Sequence, residues 1–223
     1  MIVQEFLEIR SSLETKFSSL GDTVYEPLDP LQKLTKMNTE RTTAFVCILI
    51  SYILCLGLNF IRKPLLRKIY STSFGMLLCF YFWGVNAFLQ VFMVVSTYLI
   101  LLFLPRNLAS NLMVWYAGGI LGSVHYFYFT APERPVAIFL LLMFTFAKVH
   151  MVSWNYYDAG LLDDPEKSKN MTPRERHYAE VLREIPSFFD WIQYFFFVGS
   201  ATNGPCHEYR DFKEFINFKG AIT

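Results

Sequence analysis

Long runs without a charged residue divide the chain. Thr42 to Ile61 (TTAFVCILISYILCLGLNFI) is uncharged over 20 positions. A helix rising about 1.5 Å per residue needs about that length to cross a hydrocarbon core about 30 Å thick. Ile69 to Pro105 is uncharged over 37 positions, too long for one crossing and suited to two short ones broken at Gly84, Val85 and Asn86. The pattern there predicts a tight helical hairpin. Asn107 to Pro132 forms a third run, polar at its start and loosened by Gly118, Gly119 and Gly122, small residues that let neighbouring helices approach closely. Pro135 to Tyr157 follows, interrupted by Lys148 and His150, and Trp191 to Cys206 is a shorter, partly re-entrant sixth segment. The expectation is an all-α, multi-pass helical membrane protein with roughly five or six embedded helices between residues 42 and 206. Residues 1–41 form a polar, amphipathic N-terminal segment. Residues 42–223 form the transmembrane bundle, with a polar loop at about 158–190.

Composition narrows the function classes. Apolar residues make up 53% of the 223, aromatic residues 18% and charged residues 17%, which excludes disorder and a collagen-like chain. Lys plus Arg number 20 against 19 Asp plus Glu, so no long-range field gathers nucleic acid. Cys47, Cys55 and Cys79 lie in apolar runs and Cys206 stands apart; without a CxxC, neither disulfides nor zinc are implied. The opening MIVQEFLEIR carries Glu5 and Glu8 where a secretory signal needs positive charge. The first span itself is therefore expected to act as the membrane signal. Between the first two spans RKPLLRK supplies Arg62, Lys63, Arg67 and Lys68 without an acid. By the positive-inside rule that loop is cytoplasmic and the N-terminus lumenal, although Lys33, Lys36, Arg41 and Arg134 fall on the opposing side.

The loop from Asp158 to Ser187 has helix punctuation of its own. Thr172, Pro173 and Glu175 combine an N-cap hydroxyl, a proline at the first helical position and a Glu three residues after the cap. A helix should start there, carry an apolar stripe of Tyr178, Val181, Leu182 and Ile185, and stop at Pro186. Ser187 and Asp190 repeat the capping pattern ahead of WIQYFFFVG.

Candidate chemistry sits in two polar clusters set in apolar sequence. The first is KVHMVSWNYYDAG. On a helix His150, Trp154 and Asp158 lie four apart and share a face with Tyr157, flanked by Asn155 and Lys148. Ionisable groups inside a span mark functional paths by default. The competing reading is a span end where Lys148 snorkels and the aromatic residues form an interfacial belt. No HExxH or HxxxH occurs, so no metal site is expected. The second cluster is NGPCHEYRDF, Asn203 to Phe212. Gly204 and Pro205 are expected to end the last apolar helix and turn the chain. His207 and Glu208 are adjacent and point in different directions on a helix, so they make no dyad by themselves.

The order SWNYYDAG, polar loop, PSFFDWIQYFFFVGSATNGPCHEYRDFKEFI resembles the membrane-bound O-acyltransferases, in the lysophospholipid acyltransferase branch. The matching positions are Lys148, Ser153, Asn155, Asp158, Pro186, Ser187, Gly204, Pro205, Tyr209 and Phe212. The resemblance implies transfer of an acyl group from acyl-coenzyme A, as co-substrate and not as a bound cofactor, to a lysophospholipid hydroxyl in the endoplasmic reticulum membrane. It makes His150, Trp154, Asn155, Asp158, Gly204, Pro205, Glu208 and Tyr209 candidate substrate-binding residues, with Glu208 and Tyr209 facing a cytoplasmic entrance. The family's general-base His and its assisting Asn belong downstream of the Gly-Pro cluster, and none of His125, His150, His177 or His207 sits in that context. The chain is therefore expected to be an incomplete N-terminal half of an acyltransferase, inactive alone, with no catalytic residue of its own and an unknown partner for the missing half. Two other classes stay open at this point: a non-catalytic interaction or scaffold subunit derived from the family, and a channel or transporter component built on broken helices, for which no inverted repeat is visible.

Overall fold

A computed structural model describes residues 39–130, 138–202 and 205–217. The expected N-terminal segment falls almost wholly outside these residues, as does Gly204. The described residues form nine α-helices and no strand: α1 (Thr39–Gly57), α2 (Pro64–Trp83), α3 (Ala87–Phe103), α4 (Arg106–Thr130), α5 (Ile138–Leu161), α6 (Pro165–Lys169), α7 (Pro173–Glu180), α8 (Phe188–Phe195) and α9 (Tyr209–Ile216). Two stretches, Thr42–Phe60 and Pro64–Phe103, are long and apolar enough to cross a membrane. The fold is that of an all-α membrane protein.

The break expected at Gly84–Asn86 is present as a 3₁₀ turn between α2 and α3. Gly84 has φ +54°, a conformation that a Cβ disfavours, and it caps α2 by donating its N–H to Phe80 O. The hairpin is open instead of tight. Its arms meet near the turn, where the rings of Phe80 and Phe88 lie 5.0 Å apart, and further along α8 lies between α2 and α3. Trp191 of α8 donates its indole N–H to Val94 O of α3 at 2.9 Å. Asp190, one residue earlier, pairs with Lys68 of α2 at 2.5 Å.

α4 and α5 pack along each other, α3 covers both, and α1 lies against α2. Packing and glycine chemistry coincide at Gly75. A Cβ there would stand 1.9 Å from Phe196 O, so α2 touches the backbone that follows α8 directly. The interior is closed by aromatic residues: Trp191, Tyr194, Phe195, Phe196 and Tyr209 are all essentially inaccessible.

The capping box at Thr172 and Glu175 forms as the sequence predicts, with both reciprocal bonds present. Ser187 likewise caps α8 by accepting from Asp190 N at 3.2 Å. α7 ends at Glu180, earlier than Pro186. Only Leu182 of its expected stripe is fully buried, while Ile185 is exposed. The chain leaves the helix through turns at Val181 and Leu182, whose N–H bonds to Ala179 O at 2.9 Å.

Candidate functional site

The site grows from a buried lysine. Lys148 lies near the middle of α5 and is 2% exposed, so it does not snorkel to a surface. Its ammonium donates to Tyr194 O and Phe195 O at 3.2 Å each and to Ser200 Oγ at 2.8 Å. The first two are carbonyls of the last turn of α8, which have no helical partner and carry the negative end of the helix dipole. Lys148 therefore acts as a C-terminal cap supplied by another helix.

Beyond that cap the backbone is irregular, and irregular backbone at membrane depth persists only where its polar groups are satisfied. Two serines satisfy Val198. Ser51 of α1 donates to Val198 O at 2.5 Å, and Ser71 of α2 accepts from Val198 N at 3.2 Å. Cys79 donates weakly to Ala201 O at 3.3 Å. The expected helix from Trp191 to Cys206, ended by Gly204 and Pro205, is thus corrected. α8 stops at Phe195, and the residues after it are held by hydroxyls and an ammonium from α1, α2 and α5. No hydropathy pattern reports such bonds.

This held segment brings the two clusters together. Asn155 of α5 donates Nδ2–H to Glu208 Oε2 at 2.7 Å, across 53 positions of sequence. His150 lies on an exposed face of α5, and its Nε2 accepts from Trp154 Nε1 at 2.9 Å; Trp154 in turn meets the Tyr157 ring edge-on at 6.1 Å. Asp158 is half-buried one turn further on. Pro205 is exposed, with its carbonyl 3.4 Å from His207 Nδ1. Tyr209 is 1% exposed and packs edge-on against Tyr194, with ring centroids 5.4 Å apart. Of the pair expected at an entrance, Glu208 is half-buried and Tyr209 is a core residue.

Beneath this lies a clasp of charged groups. Arg210 bonds Glu214 Oε1 at 2.8 Å and His177 O at 2.5 Å, tying α9 to α7. Arg67, one of the four basic residues of RKPLLRK, is 1% exposed. It donates to Leu58 O and Phe215 O, both at 3.1 Å, and its guanidinium lies over the Phe215 ring. Of the four charges in RKPLLRK, Arg67 is thus structural and Lys68 is paired with Asp190. In the connecting loop, Asp164 is held below the ordinary carboxylate range, chiefly by its bond to the Lys167 side chain. Glu175 is held low by the backbone N–H of Thr172. Among the described residues no group of three His, Cys, Asp or Glu side chains is placed to hold a metal.

Comparison with known proteins finds distant similarity to curated acyltransferases. A lysophospholipid acyltransferase of Saccharomyces cerevisiae is 25% identical over 209 residues, which cover 87% of this chain and 33% of the relative. A lysophospholipid acyltransferase of Schizosaccharomyces pombe is 29% identical over 158 residues, covering 69% of this chain and 29% of the relative. No protein-family model matches the chain. The chain spans about a third of the length of these curated relatives, less than the half expected from the sequence. The family resemblance itself is borne out.

Proposed function

We propose that this chain, a distant relative of the lysophospholipid acyltransferases, forms the N-terminal membrane portion of an enzyme that moves an acyl group from acyl-coenzyme A to a lysophospholipid hydroxyl. The observation that carries this reading is the bond between Asn155 and Glu208. It joins the two polar clusters that the family resemblance marks, Asn155 on α5 and Glu208 at the start of α9. Such polar groups at a membrane protein's interior edge bind, orient or exclude water.

Each residue then has a task. Lys148 fixes the segment after α8, that segment fixes Glu208, and Asn155 holds the Glu208 carboxylate toward α5. His150, Trp154 and Asp158 supply the adjoining wall. Acyl transfer from a thioester to a hydroxyl needs a general base within hydrogen-bond reach of the hydroxyl proton. We assign that base to the two thirds of the relatives' length that this chain does not span. The working site is the endoplasmic reticulum membrane, with the RKPLLRK loop cytoplasmic and the N-terminus lumenal.

The test is direct. The chain reconstituted into liposomes containing lysophospholipid, and supplied with labelled oleoyl-coenzyme A, is expected to form no labelled phospholipid. Turnover that disappears in His150→Ala would move the active site into this chain and overturn the assignment.

A further inference from the structure

Pro173 forces the residue before it out of the helical region, and Thr172 is accordingly extended, at φ −66° and ψ 155°. Thr172, Pro173, Arg174, Glu175 and Arg176 are all exposed. An exposed hydroxyl on extended chain, with proline next in sequence, is the form in which a proline-directed protein kinase takes its acceptor. The other hydroxyls of this loop are less open. Ser168 and Tyr178 are half-buried, and Ser187 gives its proton to Asp190 Oδ2 at 2.9 Å. Asp190 in turn pairs with Lys68, so the loop lies on the side of the bundle that carries RKPLLRK.

The surroundings of Thr172 are acidic where they matter. The Glu175 carboxylate accepts from Thr172 N at 2.7 Å and meets the hydroxyl as well. Asp158, half-buried at the end of α5, feels the Glu175 charge in addition to its own burial. A phosphate on Thr172 adds about two negative charges beside these acids. The nearby cations are already engaged: Arg176 donates to Ser168 O, Arg174 lies over the Tyr178 ring, and Lys167 pairs with Asp164 at 3.1 Å.

α7 is poorly placed to absorb that repulsion. A helix of eight residues has little stability by itself, so it stands on its cap and on its neighbours. It packs along α5. It also holds α9: Arg210 donates to His177 O at 2.5 Å and meets Glu180 at 3.4 Å, and Tyr178 donates to Asp211 at 3.4 Å. α9 begins at Tyr209, next to the Glu208 that Asn155 holds. Whatever loosens α7 therefore loosens the end of α9 that carries Glu208.

We propose that Thr172 is a phosphorylation site for a proline-directed kinase, and that the added phosphate releases α7 from α5 and α9 and so weakens the hold of Asn155 on Glu208. The Thr172 Oγ–P bond forms as the bond from the γ-phosphorus of ATP to its bridging oxygen breaks. ADP leaves, and the hydroxyl proton passes to the kinase's catalytic carboxylate. This deepens the acyltransferase reading by adding its control, and it rests on that reading for the cytoplasmic placement of the loop.

The full chain is expressed in eukaryotic cells, and the peptide spanning residues 170–176 is recovered from their membranes for mass spectrometry. Phosphate is expected on Thr172 and is expected to be absent from Thr172→Asn, which keeps a capping oxygen but offers no hydroxyl. The phosphorylated chain and its phosphatase-treated counterpart are then compared in nanodiscs by hydrogen exchange. Amides of residues 176–182 should exchange about fivefold faster or more with the phosphate in place, the factor that loss of one N-cap gives. Glu175→Gln should reduce that change, because one opposing acid is gone. No phosphate on Thr172 in cells overturns the site. A glycan on Asn170, which with Met171 and Thr172 spells a glycosylation sequon, puts the loop in the lumen and overturns the site together with the sidedness above. Phosphate that leaves exchange unchanged, or slows it by settling on the first N–H groups of α7, overturns the switch. The acylation assay on a hybrid carrying the remaining two thirds of the Saccharomyces cerevisiae relative separates the two readings. An active hybrid indifferent to phosphorylation sinks this proposal alone, whereas faster exchange on phosphorylation with an inactive hybrid sinks the enzyme reading alone.

Discussion

Lys148 Nζ lies 2.8 Å from Ser200 Oγ, a bond across 52 positions that fastens the irregular segment after α8 to the middle of α5. The same ammonium serves two carbonyls of α8. A cation surrounded by neutral acceptors gains from each of them, since bonds to charged groups exceed neutral ones in strength. Removing it takes the donor from four oxygens, those of Tyr194, Phe195 and Ser200 in the backbone and the Ser200 hydroxyl.

Lys148→Met should therefore lower stability by about 2–4 kcal/mol, the cost of leaving buried acceptors unmade. Thermal unfolding in detergent measures it, with Lys63→Met as the control because Lys63 is exposed. Equal midpoints for the two variants would show that Lys148 holds nothing.

Gly75→Ala and Gly119→Ala should differ in sign. At Gly75 an added Cβ meets Phe196 O at 1.9 Å, so α2 or the segment after α8 must move. At Gly119 nothing lies within 4 Å. There Ala is expected to be neutral or to stabilise by up to about 1 kcal/mol through helix propensity, whereas Gly75→Ala should destabilise by roughly 2 kcal/mol or more through overpacking. Unfolding of the two variants side by side checks the pair.

Asn155 and Glu208 should be coupled. A double-mutant cycle of Asn155→Ala and Glu208→Ala is expected to give an interaction energy of about 1 kcal/mol, typical of one charge-assisted bond that is partly open to solvent. Strict additivity would mean that the clusters adjoin without holding each other.

The start of α7 should respond to acid through Glu175. Its folded-state pKa lies below the ordinary value of 4.5 because the carboxylate accepts from Thr172 N. A depressed carboxylate stabilises the fold above its unfolded pKa, and that stability is lost as pH falls through the folded value. Local order at Thr172, followed by backbone chemical shifts, should decay only below the ordinary carboxylate range, and Glu175→Gln should flatten that decay.

Much of the fold was legible because hydropathy and caps are local. The uncharged runs marked α1 to α5, Gly84 marked the break, and Thr172 and Ser187 marked two helix starts. The site was legible in part. His150, Trp154, Asn155 and Glu208 carried polar chemistry where apolar sequence made it conspicuous. Lys148 and Arg67 showed their charge in the sequence but not their partners, which here are backbone carbonyls 46 and 148 positions away. Ser51, Ser71 and Gly75 gave no signal, since a hydroxyl or a glycine inside an apolar run becomes informative only when another backbone is laid against it. The end of α8 at Phe195 was hidden for the same reason.

The central claim is that this chain is the membrane N-terminal portion of a lysophospholipid acyltransferase. It is tested most directly by joining residues 1–223 to the remaining two thirds of the Saccharomyces cerevisiae relative and measuring labelled phospholipid formed from labelled acyl-coenzyme A and lysophospholipid. The account predicts turnover by the hybrid, reduced at least about tenfold by Asn155→Ala with Glu208→Ala through misplacement of the site wall. A hybrid that folds, reaches the membrane and forms no labelled phospholipid would contradict it.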